Sequence, residues 1–232
     1  MPEVGRSGRA EYPPTDRTVP SRHRERARYD AESVHAILDE GLVAHVGYVV
    51  DGRPRVIPML YVRLGEALYL HGSTGARLNR TALRDREAGV EVSAEVTLFD
   101  ALVLARASFN HSVNYRSVVV SGRAAPVLAE RRKAEVLDAL VERLVAGRGR
   151  DARPPTPEEL RQTGVLELPL EEVSAKVRSG DPVDDEDDLG RSCWAGCLPL
   201  AVTFGAPQPS GDLDAGVELP DYLAALPRTA LA

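Results

Sequence analysis

The run Leu70-His71-Gly72-Ser73-Thr74-Gly75-Ala76-Arg77 places an imidazole, two hydroxyls, two glycines and a guanidinium side by side. Together these groups suit an anion. Glycine lets the backbone approach a ligand closely, and Ser and Thr cap a helix or donate to an oxygen. The start of a helix offers free N–H groups and a partial positive charge, and a guanidinium adds planar donors that match a phosphate. Preceded by Ala67-Leu68-Tyr69-Leu70, which reads as a strand, and followed by Leu78 to Arg86, which is compatible with a helix, the run is a candidate phosphate cradle at a strand-to-helix corner. The same residues also describe a capped helix start with a surface arginine. The run matches neither a Walker A loop nor GxGxxG. His71 has two readings, a hydrogen bond within the corner or a proton donor to a bound ring.

Other residues with chemical capacity are scattered. His111 follows Asn110 in a polar stretch, where a cleft role and a contact between subunits are both open. Trp194, the single tryptophan, fits core packing or a ring stacked over an aromatic ligand. Arg106 suits a substrate anion or a salt bridge to a partner's acid. Cys193 and Cys197 lie too far apart on an extended strand to bridge and have no nearby histidine to complete a zinc pattern, so they read as packing residues in a reducing compartment. The six acids between Gly180 and Arg191 read as a solvated loop, not an EF-hand. No Ser-His-Asp set and no metal constellation presents itself, so redox chemistry here would belong to a bound cofactor.

The elements that must position these groups follow from pattern. Asp30 is a helix cap, and Val34, Ile37 and Leu38 recur at helical spacing up to Gly41, with His35 reading as exposed. Leu42 to Val50 and Arg53 to Arg63 flank Asp51-Gly52, a strong hairpin turn. Pro58 cannot donate to a ladder, which suggests a bulge or an edge where something approaches the backbone. Gly89 to Leu98 and Tyr115 to Leu128 are further strands, Glu130 to Val145 has a clear helical period, and Thr156-Pro157-Glu158-Glu159 starts another helix. Gly164 to Val177 alternates, and Cys193 to Phe204 reads as a last buried strand. Hairpin-joined strands with few helices predict a mainly β (α+β) fold, an antiparallel barrel with peripheral helices. Residues 1–21 read as a disordered tail, 22–207 as the domain and 208–232 as a loose tail. The chain has 232 residues, 43% of them hydrophobic, and a net charge of −6 with pI about 5.5, which argues against nucleic-acid binding by bulk charge. With no apolar run of membrane-spanning length, a soluble cytoplasmic protein is expected.

The ordered phrases ILDEG, VAHVGYV, DGRPRVIPMLY, LYLHGSTGAR, NYRSVVVSG and WAGCLPL, from about Arg22 to Pro207, resemble the pyridoxamine 5'-phosphate oxidase-like split-barrel flavoproteins, and within them the nitroimidazole-reductase-like branch. The resemblance implies a six-stranded antiparallel split barrel, a homodimer, and FMN in a cleft between subunits. It places the strand Val56, Ile57, Pro58, Met59 and Leu60 along the isoalloxazine. The phosphate falls on Leu70, His71, Gly72, Ser73 and Arg77, with a further contact at Arg116 or Ser117. It implies a flavin-dependent oxidoreductase acting on a small planar or nitro-aromatic substrate, with His71 as catalytic proton donor and Trp194 and His111 as substrate or stacking candidates. A non-catalytic flavin-binding protein, or the same barrel holding a deazaflavin or haem, is the alternative. The arginine and histidine pattern by which the oxidase proper binds its substrate at the C-terminus is missing.

Overall fold

The computed structural model describes residues 9–226. In chain order its strands and α-helices are β1 (Ala27–Arg28), α1 (Ala31–Glu40), β2 (Val43–Val50), β3 (Arg53–Leu64), β4 (Ala67–Ser73), α2 (Arg77–Ala82), β5 (Val90–Leu104), β6 (Ser112–Pro126), α3 (Glu130–Leu144), α4 (Pro157–Gln162), β7 (Thr163–Pro169), β8 (Glu172–Arg178), β9 (Gly196–Pro199) and α5 (Asp221–Ala224).

Six antiparallel strands, β2 to β7, make a partial ring in the order β2-β3-β4-β7-β6-β5 and back to β2. The ring is nearly split at β6–β7, which pair only through Ala125↔Glu167 and Pro126↔Leu166. This is the antiparallel barrel expected from the hairpin-joined strands, split as the family resemblance implies, with β8 and β1 continuing from β6 and β9 lying on the edge of β5. The β2–β3 hairpin turns at Asp51 and Gly52, both with positive φ, a conformation that Asp tolerates and Gly adopts freely. Pro58 makes no bulge. It pairs with His45 in the half of β3 that meets only β2, because β4 takes up only residues 61–64.

Alternation decides what is inside. Ala44, Val46 and Tyr48 of β2 fill the barrel with Val92, Ala94 and Val96 of β5, Leu68 and Leu70 of β4, and Val118 and Val120 of β6. The apolar stripe of α1, Val34, Ile37 and Leu38, closes one end, and the Asp30 carboxylate caps that helix by accepting from the Ser33 N–H at 2.7 Å. A second apolar layer packs α3, through Val136 and Leu140, on Val62, Tyr69 and Val165.

Three expectations need correction. The segment read as a disordered tail is packed on the domain in its described part, residues 9–21. Tyr12 is 0% exposed, its phenol donates to the Glu66 carboxylate at 2.9 Å, and its N–H donates to the Tyr29 carbonyl. A single buried aromatic anchor overrides the polar composition around it. Residues 1–8 lie outside the described residues. His35, read as exposed, is largely covered because Tyr12 stands against it, its hydroxyl 2.9 Å from Nε2. Cys193–Phe204 is not a buried strand: Gly196–Pro199 forms a short strand on the β5 edge, and Trp194, Leu198, Val202 and Phe204 are exposed.

Candidate functional site

The residues expected around one cofactor occupy several places, because alternation sends neighbours to opposite faces. On β3 the outer face carries Val56, Pro58 and Leu60, opposite Gly47, His45 and Val43 of β2. Ile57 and Met59 turn inward against the barrel core. Val56 is 68% exposed. A flat ring laid along this strand would meet three side chains and a one-sided backbone edge, not five side chains.

The corner after β4 splits in the same way. Leu70 is sealed in the core and cannot touch a ligand. Gly72 faces inward, opposite Gly164 of β7. These two glycines make room for Asn79 of α2, since a Cβ on Gly164 would lie 2.5 Å from its Oδ1 and one on Gly72 3.1 Å from its Nδ2. Asn79 is 2% exposed, so this insertion locks α2 onto the barrel. The Ser73 hydroxyl oxygen accepts from the Gly75 N–H at 3.2 Å, while Thr74 ties the corner to α4 through the Gln162 carbonyl. Ala76, not Ser73 or Thr74, is the helix cap.

Fixed in this way, α2 and the turn after it present Arg77, Arg80 and Arg84 in a row. The three arginines line a pocket of about 150 Å³ with Val50, Asp51 and Thr81. None of them forms an ion pair among the described residues. In a chain of net charge −6, free guanidinium groups at i, i+3 and i+7 concentrate positive potential at one corner, a site for phosphate oxygens. Arg80 and Arg84 were not singled out in the sequence, although their spacing was there to read.

His71 belongs to a different place. With Tyr69 and Ser73 it faces away from the barrel, under α3, and borders a cavity of about 770 Å³ with Ala134, Leu137 and Val141 of that helix and Thr163 of β7. Its ring makes no hydrogen bond among the described residues, which removes the reading of a bond within the corner. Burial lowers its pKa, so the imidazole is neutral at pH 7 with a lone pair available. At the rim Arg153 is held bidentately by Glu159, at 2.6 and 2.8 Å. The volume falls within the range of about 300–1,000 Å³ usual for small-molecule and cofactor sites. Nothing in sequence pattern marks this cavity, because it exists only where α3 and the segment before α4 fold over β4.

The remaining candidates are placed elsewhere. Arg116 is not free for a phosphate: its guanidinium is held by Glu40 at 2.5 and 2.9 Å and by Asp100 at 2.7 Å, which raises its pKa and lowers that of Glu40. Two carboxylates already balance its charge, and it staples α1 to the β5–β6 pair. Ser117 lies on the outer face beside Lys176, in a groove under Thr18 and Val19. His111 closes the β5–β6 loop, with Nδ1 3.0 Å from the Ala107 carbonyl oxygen. Trp194 is exposed and lies against Gly196. Arg106 pairs with Asp184 of its own chain at 3.0 Å, not with a partner's acid.

A family model described as pyridoxamine 5'-phosphate oxidase matches residues 30–177. The chain belongs to this family. Within its fold, the flavocytochrome Anf3 from Azotobacter vinelandii is 36% identical over 94% of this chain and 100% of its own, with a TM-score of 0.85. An FAD and haem binding protein from Mycobacterium smegmatis is 34% identical over 88% of this chain and 98% of its own, with a TM-score of 0.80. A putative 5-nitroimidazole antibiotic resistance protein from Bacteroides thetaiotaomicron, 19% identical over 65% of this chain and 86% of its own, shares the fold at a TM-score of 0.54. A search of curated proteins gave no match. Among its described residues no helix is long and apolar enough to cross a membrane.

Proposed function

We infer that this chain is a flavin-dependent oxidoreductase whose barrel also holds haem, passing electrons between the two. The observation that carries this reading is the separation of two sites of different chemistry on one barrel. The arginine corner and the outer edge of β3 offer cationic donors beside an open strand. The His71 cavity offers a neutral imidazole beneath Ala134, Leu137 and Val141 of α3, with Glu135 and Asp138 of the same helix also in its lining. Three unpaired guanidinium groups match the diphosphate of FAD better than the single phosphate of FMN. A neutral imidazole in a cavity of this size is the donor type that holds haem iron. The family relatives described as a flavocytochrome and as an FAD and haem binding protein support both assignments.

When bound, flavin trades electrons in ones or twos and haem in ones, so the pair links two-electron donors to one-electron acceptors. The protein's part is orientation and charge. Arg77, Arg80 and Arg84 bind the phosphates, the Val56–Leu60 edge aligns the ring, and α3 keeps water from the His71 side. His71 is then an iron ligand and not the proton donor expected from the resemblance. The open outer face of β3 accepts a small planar molecule as the flavin's partner in electron transfer. The same reading takes the protein to be cytoplasmic, in keeping with its two free cysteines.

The protein is also taken to be a homodimer. Val43, Val49, Val56, Leu60, Phe99 and Val119 are all exposed on the outer face of β2, β3, β5 and β6. A face of this kind, continuous over several strands, is characteristic of an interface.

The absorption spectrum of the purified full chain tests the cofactor reading. Flavin bands and a Soret band are expected together, with FAD released on heating and identified by mass. His71→Ala should abolish the Soret band and leave the flavin bands in place. A Soret band that survives this change, or none after reconstitution with hemin, overturns the haem assignment.

A further inference from the structure

Haem carries two propionate carboxylates along one edge, and a charge taken into a cavity needs a partner. The His71 cavity is poor in such partners. Its lining holds three acids, Glu135 and Asp138 of α3 and Glu159 of α4, against a single cationic side chain among the described residues, Arg153. The cations on the same stretch of α3 are committed elsewhere. Arg131 and Arg132 pair with Glu135 at 3.1 and 3.0 Å, and the Lys133 ammonium donates to the Leu160 and Thr163 carbonyls at 3.3 and 3.0 Å. The Gly149 N–H at the rim is taken by Glu142 at 2.8 Å. A carboxylate edge laid along α3 would meet Glu135 and Asp138 and be repelled. That leaves the side of residues 149–155, where Arg153 stands.

Arg153 already holds an acid of its own chain. Its guanidinium donates to both oxygens of Glu159, at 2.6 and 2.8 Å, in the fork geometry that suits any carboxylate. The pair is open to water, with side chains 67% and 47% exposed, so it contributes little to stability. Glu159 also has a role that does not need Arg153. It accepts from the Thr156 N–H at 2.8 Å, and the Thr156 hydroxyl oxygen accepts from the Glu159 N–H at 3.3 Å, which is the capping box of α4. Glu159 therefore keeps a partner when Arg153 leaves it. Pro154 and Pro155 follow Arg153 and restrict the backbone there, so the exchange requires only rotation of the side chain.

We propose that Arg153 is the anion clamp of the His71 cavity, with Glu159 as its resting occupant, and that a propionate of the bound haem displaces Glu159. The cavity then selects a tetrapyrrole with free carboxylates and turns that edge toward Arg153, away from the acids of α3. This rests on the haem reading, and it adds the ligand's orientation and the group that fixes it.

The test is a titration of the full-length apoprotein, followed at the Soret band, with hemin and with hemin dimethyl ester, which keeps the iron and masks both carboxylates. Arg153→Ala should weaken hemin binding roughly ten-fold or more and leave ester binding unchanged. Its Soret maximum should be that of the wild type, because His71 is untouched. Arg153→Lys should recover part of the loss, since it keeps the charge but not the fork. Glu159→Gln should tighten hemin binding, because it removes the competing charge while a glutamine still serves the capping box. Equal losses of hemin and ester in Arg153→Ala, or no loss of either, overturn the clamp and leave the haem reading standing. So does a Glu159→Gln chain that binds hemin as weakly as Arg153→Ala. A wild-type chain that gives no Soret band with either porphyrin overturns both.

Discussion

Arg77 and Arg116 show how one residue type takes two roles. Both are arginines near the expected phosphate position, but Arg116 is enclosed by Glu40 and Asp100, whereas Arg77 shares its pocket with Asp51 and forms no ion pair among the described residues. A guanidinium already bound to two carboxylates has little left for a phosphate, while a free one can make a charge-assisted pair worth about 1.5–3 kcal/mol. Arg77→Ala should therefore weaken flavin nucleotide binding roughly ten- to a hundred-fold, with riboflavin, which lacks phosphate, nearly unaffected. Titration of the apoprotein by flavin fluorescence checks this, and equal losses for both ligands would make Arg77 structural. Sequence reading found Arg77 but could not separate it from Arg116, because neither Glu40 nor Asp100 adjoins Arg116 in the chain.

Among the elements, the N-terminal segment departs most from expectation. Its composition is polar and Pro-rich, yet Tyr12 is buried, and Arg17 bridges Glu91 and Glu172 from its outer side. Loss of a buried aromatic side chain costs about 3–5 kcal/mol. At about 2–4 °C per kcal/mol for a domain of this size, deleting residues 1–21 should lower Tm by roughly 6–20 °C. Thermal unfolding of the truncated chain checks this, and an unchanged Tm would show that the contact contributes nothing. The α2 element depends similarly on a distant partner. Its place is set by Asn79 fitting between Gly72 and Gly164, which are 92 positions apart in sequence and paired only across β4 and β7.

For the whole molecule, burial of imidazole makes stability depend on pH. His71 and His35 both have pKa values below the ordinary 6.5, chiefly because burial disfavours the charged ring. The unfolded chain therefore takes up protons near pH 6.5 that the folded chain refuses, and stability falls as pH drops through that value. Above about pH 7.5 the two histidines contribute no slope. Calorimetry should show Tm declining between pH 7 and 5.5, and a variant with His35→Gln and His71→Gln should show a flatter decline. An identical slope would place the acid sensitivity in other groups. If haem occupies the His71 site, the apoprotein is the sample to measure, since ligation would hold the ring neutral.

The fold was written in local pattern. Alternation in β2, the Asp51-Gly52 turn, the Asp30 cap and the Thr156–Glu159 capping box each act within a few residues, so the sequence alone determined the hairpin-joined barrel and its helices. The corner at Leu70–Arg77 was legible as a place for phosphate because its groups are consecutive. Tertiary structure decided which of those groups can meet a ligand. Strand alternation hid Leu70 and Met59, folding of α3 over β4 gave His71 its own cavity, and the carboxylates of Glu40 and Asp100 claimed Arg116. These outcomes depend on contacts between residues far apart in the chain, and such contacts leave no periodic trace in a single sequence.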